Sequence, residues 1–336
     1  MISLNKTFDD IIDIISNEYQ ANDLPWYLAY SGGKDSTAVL ILVYNMLLRS
    51  QNNHKDVNVI YCNTRVEMPC INTFAINTLY NLEIEARRRN IPLNITIAEP
   101  QIKDSFFVKV IGRGYMPPSH LFRWCTNRLR IIPLQREINK SSQNIVLLGT
   151  RNDESGERNR VLKAHRIDEF HYKQTDYRNS IIFAPIINFS IKDVWECISL
   201  YENPLAVDRQ QLKHFYKSIS TNNSLIEKGS GRFGCWVCTV IREDKAGQAL
   251  SKNGYNEMTS LLQYRQLLIR MKNDESLRWK HRRNGDNSKG PFKISARKIL
   301  LDELLKTQKE SNLNLITSEE IDYIHSLWEK DQGIEC

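Results

Sequence analysis

The stretch Trp26-Tyr27-Leu28-Ala29-Tyr30-Ser31-Gly32-Gly33-Lys34-Asp35-Ser36-Thr37 decides the fold. Its first five residues, aromatic and apolar, read as a short buried strand. From Thr37 to Leu48 apolar residues recur at helical spacing. A strand that passes through a glycine turn into a helix leaves successive backbone N–H groups and a helix N-terminus facing one spot, and that spot attracts anions. Gly32 and Gly33 let the backbone come close to an oxyanion and tolerate positive φ. Ser31 and Ser36 add hydroxyls, and Lys34 adds charge. The spacing is too short for a Walker A loop.

Outward from this segment the chain keeps the rhythm of strand and helix. Residues 5–20 carry Phe8, Ile11, Ile12 and Ile15 on one helical face. Strands are expected at Val57–Tyr61, Leu93–Ala98 and Asn144–Leu148, with Ile181–Pro185 as a fifth. A long helix over 71–89 ends in Arg87-Arg88-Arg89, where cations suit the negative helix end. This alternation predicts an α/β fold, a parallel sheet of about five strands with helices on both faces. Beyond residue 190 the pattern turns helical. The expected division is therefore 1–190 for the α/β domain and 191–336 for a helical region.

With 41% hydrophobic and 25% charged residues in 336, the chain has the composition of a globular protein with a substantial core. No apolar run reaches the roughly 20 residues of a membrane span, and the first twenty residues lack a secretory pattern. A cytoplasmic location and no membrane partner are expected. Lys and Arg number 46 against 39 acids, a net charge of +7 that permits nucleic acid or nucleotide partners without requiring them. The cluster Trp279-Lys280-His281-Arg282-Arg283 is either a set of nucleic-acid backbone contacts or a solvated helix end.

Seven cysteines in a reducing compartment point to metal, cluster or thiol chemistry before disulfides. Cys235-Trp236-Val237-Cys238 serves equally as a zinc half-site, a redox pair or a cluster half-site. Cys125 stands apart, in Phe122-Arg123-Trp124-Cys125-Thr126. Cys197, inside an apolar helix, reads as core. Ser190 reads as a helix cap and Trp195 as core. His120 and His165 read as ordinary surface or core residues.

The string Ser31–Ser36 resembles the SGGxDS signature of the PP-loop ATP pyrophosphatase superfamily. That resemblance implies an adenine nucleotide alpha hydrolase-like fold and cleavage of ATP between its α- and β-phosphates. It makes Lys34, Asp35 and Arg151 the expected catalytic residues, with Mg²⁺ associated with Asp35. It makes Ser31, Gly32, Gly33, Lys34, Asp35, Ser36, Asn63, Gly149, Thr150 and Arg151 the expected ATP-binding set, because ligands lie beyond the carboxyl ends of such strands. The segment from Gly149 to Arg158 resembles the G-x-R-x-x-E-S segment of phosphoadenosine phosphosulfate reductase relatives, adding Glu154 and Arg158 as anion-binding candidates.

Four further strings, Ile111–Tyr115, Phe122–Thr126, Leu148–Arg151 and Gly231–Thr239, together resemble the DndC family of bacterial DNA phosphorothioation and its shorter SspD counterparts. This resemblance implies an iron–sulfur cluster, of the 4Fe-4S type, held by Cys125, Cys235 and Cys238. It also implies ATP-dependent replacement of a DNA phosphate oxygen by sulfur, with a cysteine desulfurase and other phosphorothioation proteins as partners. The chain departs from the family in having no cysteine between Thr221 and Gly234, so no fourth ligand is evident. Cys62, Cys70 and Cys336 are fallback ligands or thiol carriers. Phosphoadenosine phosphosulfate reduction, tRNA sulfur transfer and a non-catalytic DNA-binding subunit are the rival readings.

Overall fold

The computed structural model describes residues 7–50, 54–138, 143–152, 164–173, 179–219 and 233–332. The chain divides into two compact units. One comprises Met1–Cys62, Cys70–Ala98 and Leu134–Gly231; the other comprises Asn63–Pro69, Glu99–Pro133 and Arg232–Cys336. Each unit is thus assembled from separated segments, and a single cut at residue 190 does not coincide with the division.

The first unit is built on a sheet of strands β1 (Trp26–Tyr30), β2 (Val57–Cys62), β3 (Leu93–Ala98), β4 (Asn144–Leu147), β5 (His171–Lys173) and β6 (Ser180–Phe183). Their order is β3-β2-β1-β4-β6-β5. The five expected strands pair in parallel, with Trp26 opposite Val57 on one side and Ile145 on the other. The sixth, β5, is a short antiparallel edge strand on β6. Sequence reading passes over it because three residues, His171, Tyr172 and Lys173, show no period.

Helices α1 (Phe8–Gln20), α2 (Lys34–Arg49) and α3 (Pro69–Arg88) follow the expected pattern. A capping box of Thr7 and Asp10 starts α1, and Pro69 occupies the first position of α3, where its missing N–H costs nothing. Helix α2 starts three residues earlier than its apolar run, with Gly33 as N-cap. It buries an unbroken run from Ser36 to Leu47, since α1 and α4 (Ile191–Leu200) also pack on it. Ser190 caps α4 in a box with Asp193, and Trp195 is buried, both as expected. Helix α5 (Arg209–Ser218) also belongs to this unit, and a short helix, Ile132–Ile138, lies mostly within it.

The second unit contains α6 (Lys245–Lys252), α7 (Glu257–Asn273), α8 (Ile294–Ser311) and α9 (Ser318–Gln332). Between α7 and α8 the chain makes a hairpin-like excursion, closed by Trp279 N–H to Pro291 O at 2.9 Å and Gly290 N–H to Trp279 O at 3.0 Å. The basic cluster at 279–283 therefore sits on this excursion and not on a helix end. No helix among the described residues is long and apolar enough to cross a membrane.

Candidate functional site

The strand order reverses between β1 and β4, so the loops after these two strands open a crevice at the carboxyl edge of the sheet. Both loops carry residues expected at the site. After β1 the chain turns at Gly32, whose φ of +72° favours glycine. The turn is tied internally. Ser31 N–H donates to Ser36 Oγ at 3.1 Å, and Ser36 Oγ–H donates to the Gly33 carbonyl at 3.0 Å. These serines therefore shape the loop.

After β4 the chain passes so close to the first turn of α2 that a Cβ on Gly149 would lie 2.7 Å from the Asp35 carbonyl carbon. Only glycine fits there, which gives Gly149 a packing reason. Two residues later Arg151, 3% exposed, reaches Asp35: its Nε donates to Oδ1 at 2.7 Å. Lys34, 4% exposed, holds the other carboxylate oxygen, with Nζ 2.8 Å from Oδ2. Arg151 Nη1 also donates to the Phe189 carbonyl at 3.2 Å, which fixes the guanidinium plane.

Two buried cations share one carboxylate. Among the described residues, Asp35 is the carboxylate that meets both cations, which leaves a net positive charge beside a glycine turn and a helix N-terminus. Buried charge without a partner is costly, and an oxyanion bound here supplies the missing one.

Tyr216 on α5 escapes sequence reading. Its hydroxyl accepts the Lys34 backbone N–H at 3.1 Å, and the Lys34 ammonium lies 5.1 Å from its ring centroid. The tyrosine thus occupies one of the amides an anion would use. Its only signal in sequence is a place on the apolar face of α5 beside Leu212 and Phe215.

Asn63 belongs to the second unit. Its Nδ2 donates to Glu99 at 2.7 Å and its Oδ1 accepts the Arg65 N–H at 3.1 Å, shaping a turn in which Arg65 has a φ of +61°. Arg65 in turn pairs with Glu99 at 2.8 Å. Both ends of the Asn63 amide are thus engaged in the turn. Glu154 and Arg158 lie outside the described residues. Thr150 follows Gly149 and is half-buried.

Cys125, Cys235 and Cys238 all belong to the second unit. The Cys235–Cys238 turn is closed by Cys238 N–H to Cys235 O at 3.0 Å and pinned by the buried Arg265, whose Nε donates to Cys238 O at 2.7 Å. Trp236 anchors it against Phe107 and Tyr264. A short bridge joins Cys235 to Glu67. Arg130 Nη2 donates to Glu67 at 2.6 Å and lies 3.9 Å from the Cys235 sulfur.

Burial pushes the Cys235 thiol well up, and Glu67, Cys238 and Cys125 add to the rise. Burial also raises Cys125, with Cys238 contributing. The three sulfurs therefore lie within electrostatic range of one another. Among the described residues no three His, Cys, Asp or Glu side chains close on a single point as a lone metal ion needs. A polynuclear cluster spreads its thiolate ligands more widely than one tetrahedral ion, and an all-cysteine donor set suits iron–sulfur ligation. Cys62 and Cys70 belong to the first unit, Cys197 is fully buried, and Cys336 lies outside the described residues.

Residues 25–241 match the phosphoadenosine phosphosulfate reductase domain family. An uncharacterised protein of Methanocaldococcus jannaschii is 28% identical over 232 residues, covering 68% of this chain and 39% of that protein. A second from the same organism is 22% identical over 210 residues, covering 62% of this chain and 40% of its own length. The chain thus spans about two fifths of the curated relatives it matches. Among solved structures, phosphoadenylyl-sulfate reductase from Candida auris in a phosphate complex is 16% identical, covers 71% of this chain and 99% of its own, and has a TM-score of 0.40. The U34-tRNA thiolase NcsA from Methanococcus maripaludis, with its [4Fe-4S] cluster, is 13% identical, covers 79% and 81%, and has a TM-score of 0.36. Because the family match takes in more than half of the chain, including β1, the glycine turn, Arg151 and the paired cysteines, the chain belongs to the phosphoadenosine phosphosulfate reductase domain family.

Proposed function

We propose that this chain is an ATP pyrophosphatase and sulfurtransferase of DNA phosphorothioation. The observation that carries the reading is the Lys34–Asp35–Arg151 group, which among the described residues leaves a net positive charge beside the glycine turn at the β1/β4 crevice.

In this reading the turn and Lys34 take the β- and γ-phosphates of ATP. A DNA phosphate oxygen attacks the α-phosphorus, pyrophosphate leaves, and the DNA phosphate carries AMP. Hydrosulfide then attacks that DNA phosphorus, the new P–S bond forming as the P–O bond to AMP breaks; AMP departs with that oxygen, so one non-bridging oxygen is replaced by sulfur. Positioning and electrostatics do most of the work. Arg151 holds Asp35 so that Lys34 keeps its place. Asp35 is the one carboxylate at the turn suited to sit near Mg²⁺, which commonly binds through one or two carboxylates plus substrate phosphates and neutralises their charge.

Cys125, Cys235 and Cys238 would hold the iron–sulfur cluster. Bound there, such a cluster would supply iron chemistry for handling sulfide, with the three thiolates as its ligands. A cysteine desulfurase supplies the sulfur as a persulfide, a dithiol reductant brings it to the sulfide level while being oxidised to a disulfide, and other phosphorothioation proteins complete the system.

The test is incubation of ATP and Mg²⁺ with the chain, DNA and desulfurase, following AMP and pyrophosphate. Wild type is expected to form both, and Lys34→Ala neither. Formation of ADP and orthophosphate would overturn the reading. Activity with tRNA and none with DNA would move the acceptor to the tRNA rival.

A further inference from the structure

The second unit carries an open cavity of about 780 Å³ that plays no part in the site above. Six cations line it: Arg113, Lys272, Arg278, Arg282, Arg283 and Lys289. Among the described residues lining it there is no carboxylate. Three of the six are balanced from behind, Arg283 by Asp331, Arg282 by Asp286 at 3.8 Å and Lys289 by Glu275 at 3.9 Å. The other three, Arg113, Lys272 and Arg278, form no ion pair among the described residues. Lys272 Nζ reaches only the carbonyls of Pro118 at 2.8 Å and Thr239 at 3.3 Å, and Arg278 only those of Gly290 and Lys289. Burial makes both hold their protons less tightly, outweighing the opposing pull of Cys238 on Lys272 and of Glu275 on Arg278.

The cavity is not purely electrostatic. At its edge Leu121 is 99% exposed and Phe122 49% exposed. They are not loose. Ser119 and Phe122 exchange backbone hydrogen bonds at 3.2 Å in both directions, so the turn holds both side chains out. Elsewhere in the lining, the backbone at Gly290 runs against the His281 carbonyl and leaves no room for a Cβ. Rigid apolar side chains set among cations favour a ligand that alternates phosphates with flat, stackable surfaces. An acidic peptide would use the cations and leave Phe122 idle. A duplex, its bases stacked inward, would do the same.

We infer that this cavity is a binding site for a single-stranded polynucleotide, its phosphates on the cations and its unstacked bases against Leu121 and Phe122. Residues 118–125 and 238–239 join this wall to the cysteine group: Thr239 Oγ1 donates to the Pro118 carbonyl at 2.6 Å, and Cys125 follows Phe122 by three positions. That the strand held here is the acceptor for sulfur rests on the proposed function; that it binds does not.

The experiment is fluorescence anisotropy of a labelled twelve-residue oligothymidylate with the full chain, without ATP, across a salt series. Arg113→Ala and Arg282→Ala are each expected to reduce the slope of log Kd against log salt by about 0.7. Phe122→Ala is expected to weaken binding roughly 5- to 150-fold, the range for losing a base-stacking partner. Leu121→Ala, at a site with almost no packed surface, keeps the test open should Phe122→Ala fold badly, and is expected to weaken binding in the same direction. Unchanged binding in the cation variants and Leu121→Ala, equal competition by duplex, or displacement of the strand by an equal concentration of polyglutamate would overturn the inference. Pyrophosphate release from ATP, read separately on the same preparation, keeps the two readings apart. A chain that holds the strand and releases no pyrophosphate loses the adenylation reading alone; one that releases pyrophosphate and holds no strand loses this inference alone.

Discussion

Arg151 donates from Nε to Asp35 Oδ1 at 2.7 Å across 116 residues of sequence, tying the loop after β4 to the first turn of α2. With Lys34 on the other oxygen, the aspartate is the hinge pin of the anion site. Removing it exposes two buried cations to each other. Asp35→Ala is therefore expected to destabilise by about 3–5 kcal/mol, less whatever its partial exposure screens. The double variant with Arg151→Met should recover part of that loss, since it removes one stranded charge. Urea denaturation of the four-member cycle measures it; strictly additive losses would show that the two residues are not coupled.

Gly149→Ala places a methyl group against the Asp35 and Ser36 backbone, at 2.7–2.8 Å. The atoms in the way are main chain in a buried helix, which cannot turn aside. A loss of about 1–3 kcal/mol is expected from overpacking, together with weaker pyrophosphate binding. At Gly33 the corresponding contacts are 3.3 and 3.4 Å to side-chain oxygens, so Gly33→Ala should fold close to normally. Thermal midpoints of the two variants decide it, and equal shifts would contradict the geometry.

Tyr216→Phe separates stability from affinity. The hydroxyl satisfies the Lys34 N–H, and a phenylalanine leaves that amide unpaired at a cost of about 1–3 kcal/mol. Bound pyrophosphate can restore the missing hydrogen bond, so part of the cost returns on binding. The variant should melt lower and bind pyrophosphate more tightly, up to about tenfold. Titration calorimetry reads the affinity; weaker binding would mean that the hydroxyl itself contacts the anion.

Much of this site is legible in the sequence because it is local. The glycine turn, its serines and Lys34 lie within seven residues, and the strand and helix around them have clear periods. Arg151 is legible through its place after a strand. Tyr216, Phe189 and Arg265 are not, because each acts through a contact set by tertiary packing, and nothing in its own neighbourhood requires that partner. Strand β5 and the division of the chain are hidden for the same reason. Three residues carry no period, and segments 63–69 and 99–133 join a unit whose other members lie beyond residue 231.

The cysteine group makes a prediction by contrast. After anaerobic reconstitution with iron and sulfide, Cys125→Ser, Cys235→Ser and Cys238→Ser are each expected to lower iron per chain. Cys197→Ser should leave iron unchanged and lower the melting temperature, because that thiol is wholly buried and its environment pushes it far from ionising. Iron and sulfide analysis with visible absorbance reads the outcome. Wild-type iron in all three cysteine variants would remove the cluster from the proposed function.

His171 gives the first unit a pH dependence remote from the anion site. On edge strand β5 its Nε2 lies 3.4 Å from Glu18 of α1, its Nδ1 2.9 Å from Asp168, and its ring stacks on Phe183 at 5.0 Å. The Glu18 hydrogen bond, against the opposing effect of burial and with help from Asp168, raises the histidine above its ordinary value. The unfolded chain titrates near about 6.5. Below that value the stabilisation is fully present; as pH rises through the higher folded value the imidazolium is lost in the native state too, and the contribution disappears. Glu18 moves the opposite way: its hydrogen bond from His171 lowers it, so its share is present above the ordinary carboxylate range and fades in acid. The pair should therefore stabilise most between about pH 5 and 6.5. Urea midpoints of wild type and His171→Gln, compared from pH 5 to 9, should differ in that interval and converge as pH rises through the histidine's higher folded value. A difference independent of pH would mean that ring stacking on Phe183, and not the charge, is what the histidine contributes.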